Sequence, residues 1–209
     1  MTPDEQQIRE RAQQHYTDLP YHNFKHVQTV LDSAEELLDR CRRHSIPISE
    51  DVVRTAIYFH DAGYHRDPET TGFESREAYS AHIAAQELDD LGASNDLIEQ
   101  VQDCILATRE NANADTPEQK IVLAADLASL ASDFDTFMAN ARKLREEHKQ
   151  LHGEKPDSEA WRSLVEATVS HYLQQDIHLT PEHDLDHGIS EFHARTRRNL
   201  AKFLRKTEG

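Results

Sequence analysis

The sequence predicts an all-α protein, and three observations support this fold class. Apolar residues recur every three or four positions, as in Val27, Val30, Leu31 and Ala34, which is the period of an amphipathic helix. No stretch alternates apolar and polar residues in the manner of a half-buried strand. Only 6 of the 209 residues are glycine and 30% are charged, which fits a helix-rich chain.

Helix-start signals place the first three helices. Thr2 can cap the first helix, with Pro3 in its first position and Glu5 completing a capping box. The second helix is predicted over about residues 23–43 from the helical spacing of its apolar residues. Ser49 can cap the third, which breaks at Gly63.

The remaining elements follow the same signals. GYHRDPETTGF, residues 63–73, is the longest predicted loop, and Gly92 ends the helix after it. Pro117 starts a helix, and Asp133 and Asp157 cap the next two. The nine predicted helices cover about residues 2–17, 23–43, 49–62, 74–91, 95–109, 117–131, 133–152, 157–175 and 189–206.

The acidic balance narrows the classes of function. The chain has 23 basic and 39 acidic side chains, and its net charge of −16 argues against binding to nucleic acid or to anionic membranes. A phosphorylated substrate would need a metal ion or arginine nearby. Cys41 and Cys104 form no CxxC motif, the first residues are too polar for a signal peptide, and no apolar run approaches 18 residues. We therefore expect a cytoplasmic protein.

Two polar interruptions of apolar helices are candidate metal-binding positions. His60 and Asp61 interrupt AIYFHDAGY, residues 56–64, and Asp126 lies within IVLAADLASLA, residues 121–131. An unpaired buried charge is costly, so such a carboxylate is expected to bind metal or to pair with a helix N-terminus or an arginine. Histidine nitrogen with aspartate oxygen suits Mn, Fe, Co, Ni or Zn better than Ca.

A histidine pair at the start of the second helix is the other candidate. In YHNFKHVQTV, residues 21–30, His22 and His26 stand four positions apart and face the same side of a helix. They can share one metal ion, divide the tasks of ligand and acid, or be ordinary surface residues. His22 can also simply cap the helix.

Taken in order, these residues resemble the metal-ligand set of the HD-domain superfamily of metal-dependent phosphohydrolases. The resemblance covers about residues 20–150, with His26 first, then His60 and Asp61 as the HD dipeptide, then Asp126 in AADLASL. It implies that these four side chains hold one divalent ion, which can be Mn, Fe, Co, Ni, Zn or Mg, and it leaves a second ion open.

The same resemblance implies the domain organisation. We expect a single HD-type helical bundle over residues 1–209, with the metal-site core at about 20–150. The C-terminal helices, at about 157–207, are expected to pack on that core as a layer.

The YHNFKH segment also resembles the Y-H-N-x-x-H motif of cyclic-nucleotide phosphodiesterases of this superfamily. There the first histidine is the acid facing the leaving group and the second is a metal ligand, which implies these roles for His22 and His26. The implied reaction is hydrolysis of a small phosphate mono- or diester, with nucleotides among the candidates. A metal-activated water, oriented by Asp61 or Asp126, would attack the phosphorus.

A further likeness is to small uncharacterised bacterial HD proteins. Their N-E-x-x-S-A segment is matched by REAYSA, in which Arg76 replaces the asparagine. Their T-x-x-H is matched by TREN, in which Asn111 replaces the histidine, so any role of that histidine is in doubt. The candidate cations for a substrate phosphate are Lys25 and Arg145.

Two other functions stay open. Some HD-fold proteins hold two irons and oxidise C–H bonds with O₂, which requires further histidines. His82 could supply one, but the helix from Cys104 to Arg109 offers none. The other alternative is a degenerate HD-type module for binding or regulation, and the oligomeric state is also open.

The remaining histidine pairs have polar surroundings. His148 with His152, and His183 with His187, also stand four positions apart, and their neighbours EEHKQLH and EHDLDHG favour a solvated face. Trp161 lies at helical spacing with other apolar residues, which predicts a core position.

Overall fold

The computed structural model describes residues 2–175, 178–180, 184–185 and 189–206. Within these ranges the chain is almost entirely helical, and the all-α prediction is confirmed. Two-residue strands, β1 (Asp184–Leu185) and β2 (Ile189–Ser190), form a short antiparallel pair, and a 3₁₀ turn lies at Ala128–Ala131. The helices are α1 (Glu5–Gln13), α2 (Phe24–Arg43), α3 (Glu50–Phe59), α4 (Pro68–Thr71), α5 (Arg76–Asp90), α6 (Asn95–Leu106), α7 (Pro117–Leu127), α8 (Phe134–His152), α9 (Ser158–Tyr172) and α10 (Glu191–Lys206).

Several helices begin and end at the predicted signals. Asn23 caps α2, because its side-chain oxygen accepts hydrogen bonds from the backbone N–H groups of Lys25 and His26 at 2.9 and 3.4 Å. Asp133 caps α8 in the same way. Gly92 follows α5 with a φ of 73°, the left-handed conformation that glycine adopts at least cost.

The first helix and the segment at residues 63–73 differ from the prediction. The first helix starts at Glu5 rather than at Pro3, because Asp4 and not Thr2 is its cap and accepts two backbone N–H groups. A carboxylate is also favoured at this end by the helix dipole. The segment at residues 63–73 is not a loop throughout, since Asp67 caps the single helical turn α4 within it.

The chain divides into two units by its internal contacts. The first ends at Asp126 and the second begins at Leu127. This boundary falls earlier than the core limit of about residue 150 that the sequence suggested. The organisation as one domain with a packed C-terminal layer stays a prediction.

In the first unit α3 is the central helix. It packs against α1, α2, α5 and α6, so apolar contacts surround it on several sides. Because α3 is enclosed by these helices, the residues at its C-terminal end lie in the interior of the unit. Its buried residues are Val52, Val53, Thr55, Ala56, Ile57, Tyr58 and Phe59.

The second unit has its own apolar cluster. Trp161 is only 8% exposed and belongs to this cluster, so the predicted core position is confirmed. The buried members are Phe137, Ala141, Trp161, Val165, Val169 and Phe203.

Among the described residues, none of the helices combines the length and apolar character that crossing a bilayer requires.

An ion-pair network joins the end of α2 to the start of α3. Glu50 accepts from Arg42 at 2.6 Å and from Arg54 at 2.8 Å, and Arg54 also binds Glu35 at 2.6 Å. The hydrogen bond from Arg42 is the main cause that lowers the pKa of Glu50 from 4.5 to about 2. The charged carboxylate is thus favoured in the folded protein.

This network predicts a stability that is lost in acid. Glu50 stabilises the fold fully above its unfolded pKa of 4.5, and the contribution disappears as the pH falls toward 2. After allowance for solvent screening we expect Glu50→Gln to cost about 1 kcal/mol at pH 7, or about 2–4 °C in Tm. Thermal unfolding from pH 7 to pH 2.5 should show the two proteins converging.

The matched control is Glu36→Gln on α2, where the side chain is exposed. It should leave Tm nearly unchanged at each pH. A constant difference between wild type and Glu50→Gln across the pH range would contradict the assignment of the acid-sensitive stability to this network.

Candidate metal centre

The HD dipeptide lies where α3 ends. His60 follows the last helical residue, and its side chain is 1% exposed. Its Nδ1 lies 2.8 Å from the carbonyl oxygen of Ile57, which can only accept, so this nitrogen carries the hydrogen. In the neutral imidazole Nε2 therefore presents a lone pair, as in histidines that ligate metals.

His26 and Asp126 meet this end of α3 from two other helices. His26 lies in the first turn of α2, and its orientation follows from the Asn23 cap. Asp126 lies near the end of α7. The Nε2 atom of His26 is 3.1 Å from Oδ1 of Asp126 and 3.5 Å from Oδ2 of Asp61.

Three of the four predicted ligands form a group that could hold a metal ion, and the fourth, Asp61, lies next to it. Ligand atoms of His26, His60 and Asp126 all lie within 4.8 Å of one another, and this group could hold a metal ion. Nε2 of His60 is 3.1 Å from Oδ2 of Asp61 and 3.6 Å from Oδ1 of Asp126. Two ligands about 2.1 Å from one ion, at tetrahedral or octahedral angles, lie about 3.0–3.4 Å apart. The two separations of 3.1 Å fall within that spacing, and those of 3.5 and 3.6 Å are slightly longer.

Two buried atoms in this cluster lack hydrogen-bond partners. Within the described part of the chain, neither Nε2 of His60 nor Oδ2 of Asp61 makes a hydrogen bond, although they are 3.1 Å apart. A buried polar atom without a partner costs about 1–3 kcal/mol. A divalent ion among the four side chains would satisfy both atoms, so the residues present fit a metal ion.

The charges in the cluster favour its ionised form. Burial alone would raise the pKa of Asp61 and of Asp126, but the neighbouring histidines outweigh it and hold both carboxyls below their ordinary range. Burial also opposes the charging of His60, yet the two carboxylates raise its pKa well above the ordinary value. A cation is therefore stabilised here, and a metal ion would displace the histidine proton.

Asp126 is more open to solvent than predicted. The sequence suggested a buried carboxylate, but its side chain is 25% exposed, against 13% for Asp61 and 6% for His26. The apolar residues around it in α7 are buried, so the carboxylate lies at the edge of that apolar surface. Solvent therefore reaches the cluster at Asp126.

Tyr16 supports the HD dipeptide from behind, and sequence reasoning missed it. Its hydroxyl donates to the carbonyl of Tyr58 at 3.0 Å and accepts from the backbone N–H of Asp61 at 3.3 Å. Burial, then the charge of Asp61, raises the pKa of Tyr16 well above 10, so the hydroxyl stays neutral. No motif signals this role, because the contact is to backbone 45 residues away.

His22 lies beside the cluster. Its ring stacks on Tyr64 with centroids 3.5 Å apart, and meets His26 edge-on at 5.7 Å. Capping of α2 is done by Asn23, so the cap role considered for His22 is wrong. Its role as an acid stays a prediction.

The chain leaves the HD dipeptide through a close contact with α5. The backbone N–H of Gly63 donates to Oγ of Ser80 at 2.9 Å. A Cβ at this position would lie 2.6 Å from Cδ1 of Tyr79 and 3.2 Å from the backbone nitrogen of Ser80. Glycine is required here because the two segments touch.

The predicted substrate cations lie in different surroundings. Lys25 is exposed and lines a cavity of about 430 Å³ with Tyr16 and Asn23. Arg145 belongs to the second unit, where its Nε and Nη2 donate to the carbonyl of Pro156 at 3.1 and 2.6 Å. That contact braces the connection between α8 and α9. A substrate role for Lys25 and for Arg145 stays a prediction.

The other histidines named from the sequence lie outside this cluster. His82 packs its ring against Phe73 at 4.8 Å and is not among the metal-capable group found in the described residues. His148 and His152 lie on α8 with ring centroids 4.5 Å apart. His183 and His187 are outside the described residues.

The comparison with protein families agrees with this arrangement. The model of the HD domain matches residues 23–130, which is slightly more than half of the chain and includes all four candidate ligands. No match was found among curated proteins. The chain therefore belongs to the HD-domain family.

Proposed function

We propose that the protein is a metal-dependent phosphohydrolase that cleaves a small phosphate mono- or diester, with nucleotides among its candidate substrates. The observation that carries the proposal is the convergence of His26, His60, Asp61 and Asp126, with two buried atoms left without hydrogen-bond partners. Membership of the HD-domain family supports the same reaction class. When bound, a divalent ion supplies Lewis-acid chemistry: it lowers the pKa of water and polarises a phosphoryl group.

The chain's own residues would then position the reactants. Asp61 and Asp126 are ionised, so either can accept a hydrogen bond from the attacking water and orient it. His22 is half-buried beside His26 and can donate a proton to the departing oxygen. These steps divide the work of the histidine pair into acid and ligand.

The two rival functions gain less support. A di-iron oxygenase needs a further set of histidine ligands, and the His82 ring packs on Phe73 instead. A degenerate module needs no complete ligand set, whereas all four residues of the HD pattern are present and close together.

The proposal is tested by metal analysis followed by a substrate screen. Protein purified without chelator should contain about one divalent ion per chain, and should hydrolyse members of a panel of nitrophenyl phosphates, phosphodiesters and nucleotides. Removal of the ion with chelator should abolish hydrolysis, and its return should restore it. Protein that takes up no divalent ion even after addition of Mn²⁺ would contradict the proposal.

A further prediction concerns the segment at residues 63–73. It leaves the HD dipeptide and places Tyr64 against His22, while Glu69 in α4 is exposed. We expect it to border the mouth of the site and to be mobile, so Mn²⁺ with inorganic phosphate should slow cleavage after Glu69 by a glutamate-specific protease. Cleavage after the exposed Glu154 of the second unit serves as the reference. Equal slowing at both glutamates, or none at Glu69, would exclude a gating role.

A further inference from the structure

Arg76 is a half-buried cation without an acidic partner. Within the described part of the chain its guanidinium makes no hydrogen bond or ion pair, and its Nε is buried without a partner. Two other arginines of the first unit are ion-paired: Arg11 binds Glu87, and Arg54 binds Glu35. In a chain with 39 acidic and 23 basic side chains, carboxylate partners are plentiful. The guanidinium of Arg76 is therefore available to a partner that is not a carboxylate of the described residues.

A stack of side chains connects Arg76 with the candidate metal centre. The guanidinium carbon of Arg76 lies 4.9 Å from the ring centroid of Tyr64. Tyr64 in turn stacks on His22 with ring centroids 3.5 Å apart. The ring centroids of His22 and His26 are 5.7 Å apart. Cations within about 6 Å of an aromatic centroid are held by the ring quadrupole. Tyr64 thus holds the positive charge beside the predicted acid.

The charge of the site calls for such a cation. Two aspartates, Asp61 and Asp126, lie at the candidate metal centre, and two carboxylates would offset the charge of a divalent ion and leave little net attraction for a phosphate anion. Guanidinium groups suit phosphate because their planar N–H donors pair with two oxygens at once. Arg76 supplies this group on the first turn of α5.

We propose that Arg76 binds the phosphate group of the substrate, with Tyr64 and His22 holding it next to the metal centre. The inference rests on the proposed phosphohydrolase function and adds a substrate-binding residue to it. Arg76 would do the work that the sequence assigned to Lys25 and Arg145.

The experiment measures binding of inorganic phosphate by calorimetry to Mn²⁺-loaded wild type, Arg76→Gln, Arg76→Lys and Arg66→Gln. Loss of a charged hydrogen-bonding partner should weaken phosphate binding by about 10- to 100-fold in Arg76→Gln. Arg76→Lys keeps the charge but not the planar fork and should fall between it and wild type. Arg66→Gln removes an exposed charge from the neighbouring segment and should stay within about twofold of wild type.

Three results would overturn the proposal: wild type that binds no phosphate, Arg76→Gln with wild-type affinity, or an equal loss in Arg66→Gln. Mn²⁺ titration and thermal unfolding of each variant separate phosphate binding from folding. If Arg76 had a purely structural role, its substitution would lower Tm, but phosphate affinity would not decrease in the order wild type, Arg76→Lys, Arg76→Gln.

The design also separates this inference from the proposed function. Phosphate titrations are repeated without Mn²⁺, and hydrolysis is measured in parallel. Phosphate binding that depends on Arg76 in a protein without hydrolytic activity would support the inference and count against the phosphohydrolase. If hydrolysis and phosphate binding are both unchanged in Arg76→Gln, the result would count against the inference and support the phosphohydrolase.

Discussion

Asp126→Ala is expected to abolish stoichiometric metal binding while the helical content stays near that of wild type. Asp126 is the predicted ligand from α7, and its Oδ1 lies within 3.6 Å of Nε2 of both His26 and His60. Without the Asp126 carboxylate, the remaining candidate ligands carry one negative charge fewer to attract a cation. Metal analysis and far-ultraviolet circular dichroism measure the two quantities directly.

The same variant gives a second, independent reading through stability. A ligand at 100 times its Kd stabilises a folded protein by about 2.7 kcal/mol, so Mn²⁺ should raise the Tm of wild type. Asp126→Ala should show no such rise. Asp90→Ala, which removes an exposed carboxylate from α5, should behave as wild type. A full complement of metal in Asp126→Ala would refute its assignment as a ligand.

His22→Ala is expected to lower turnover by about 10²–10⁴-fold, the usual contribution of general acid–base catalysis. The ring of His22 lies next to His26 but does not belong to the group of side chains that could hold a metal ion. Metal content should therefore stay near the wild-type value. A nitrophenyl ester has a leaving group that needs little protonation, so its hydrolysis should fall much less. The comparison of a natural-type alkyl ester with the nitrophenyl ester isolates proton donation.

The control for this experiment is His82→Ala, which removes a histidine packed on Phe73. It should leave turnover and metal content unchanged, and a large loss of either would revive the oxygenase alternative. Loss of metal in His22→Ala would make His22 a ligand. Equal defects on both esters would remove its role as an acid, leaving only the stack with Tyr64.

Much of the fold was predictable because helices leave local signals. The apolar period marked α2 and α3, and the caps at Asn23 and Asp133 lie within a residue of the predicted starts. The proximity of the four candidate ligands was also predictable, but from the resemblance to the HD-domain superfamily, because the apolar pattern marked His60, Asp61 and Asp126 only as separate polar interruptions. Their assignment as ligands stays a prediction.

Other parts of the site could not be predicted, because they depend on contacts between distant segments. The Tyr16 hydroxyl is placed by the packing of α1 on α3, and its partners are backbone groups that any residue would supply. The stack of Arg76, Tyr64 and His22 requires the path of the chain after Gly63. The sequence instead pointed to Arg145, whose guanidinium is held by a backbone carbonyl.

The position of the unit boundary bears on how this protein could have diversified. His22, His26, His60, Asp61 and Asp126 all belong to the first unit, which ends at Asp126. A lineage could therefore replace or remodel the helices from Leu127 onward without losing a single donor atom. Selection for chemistry and selection for other properties could then act on separate stretches of the gene.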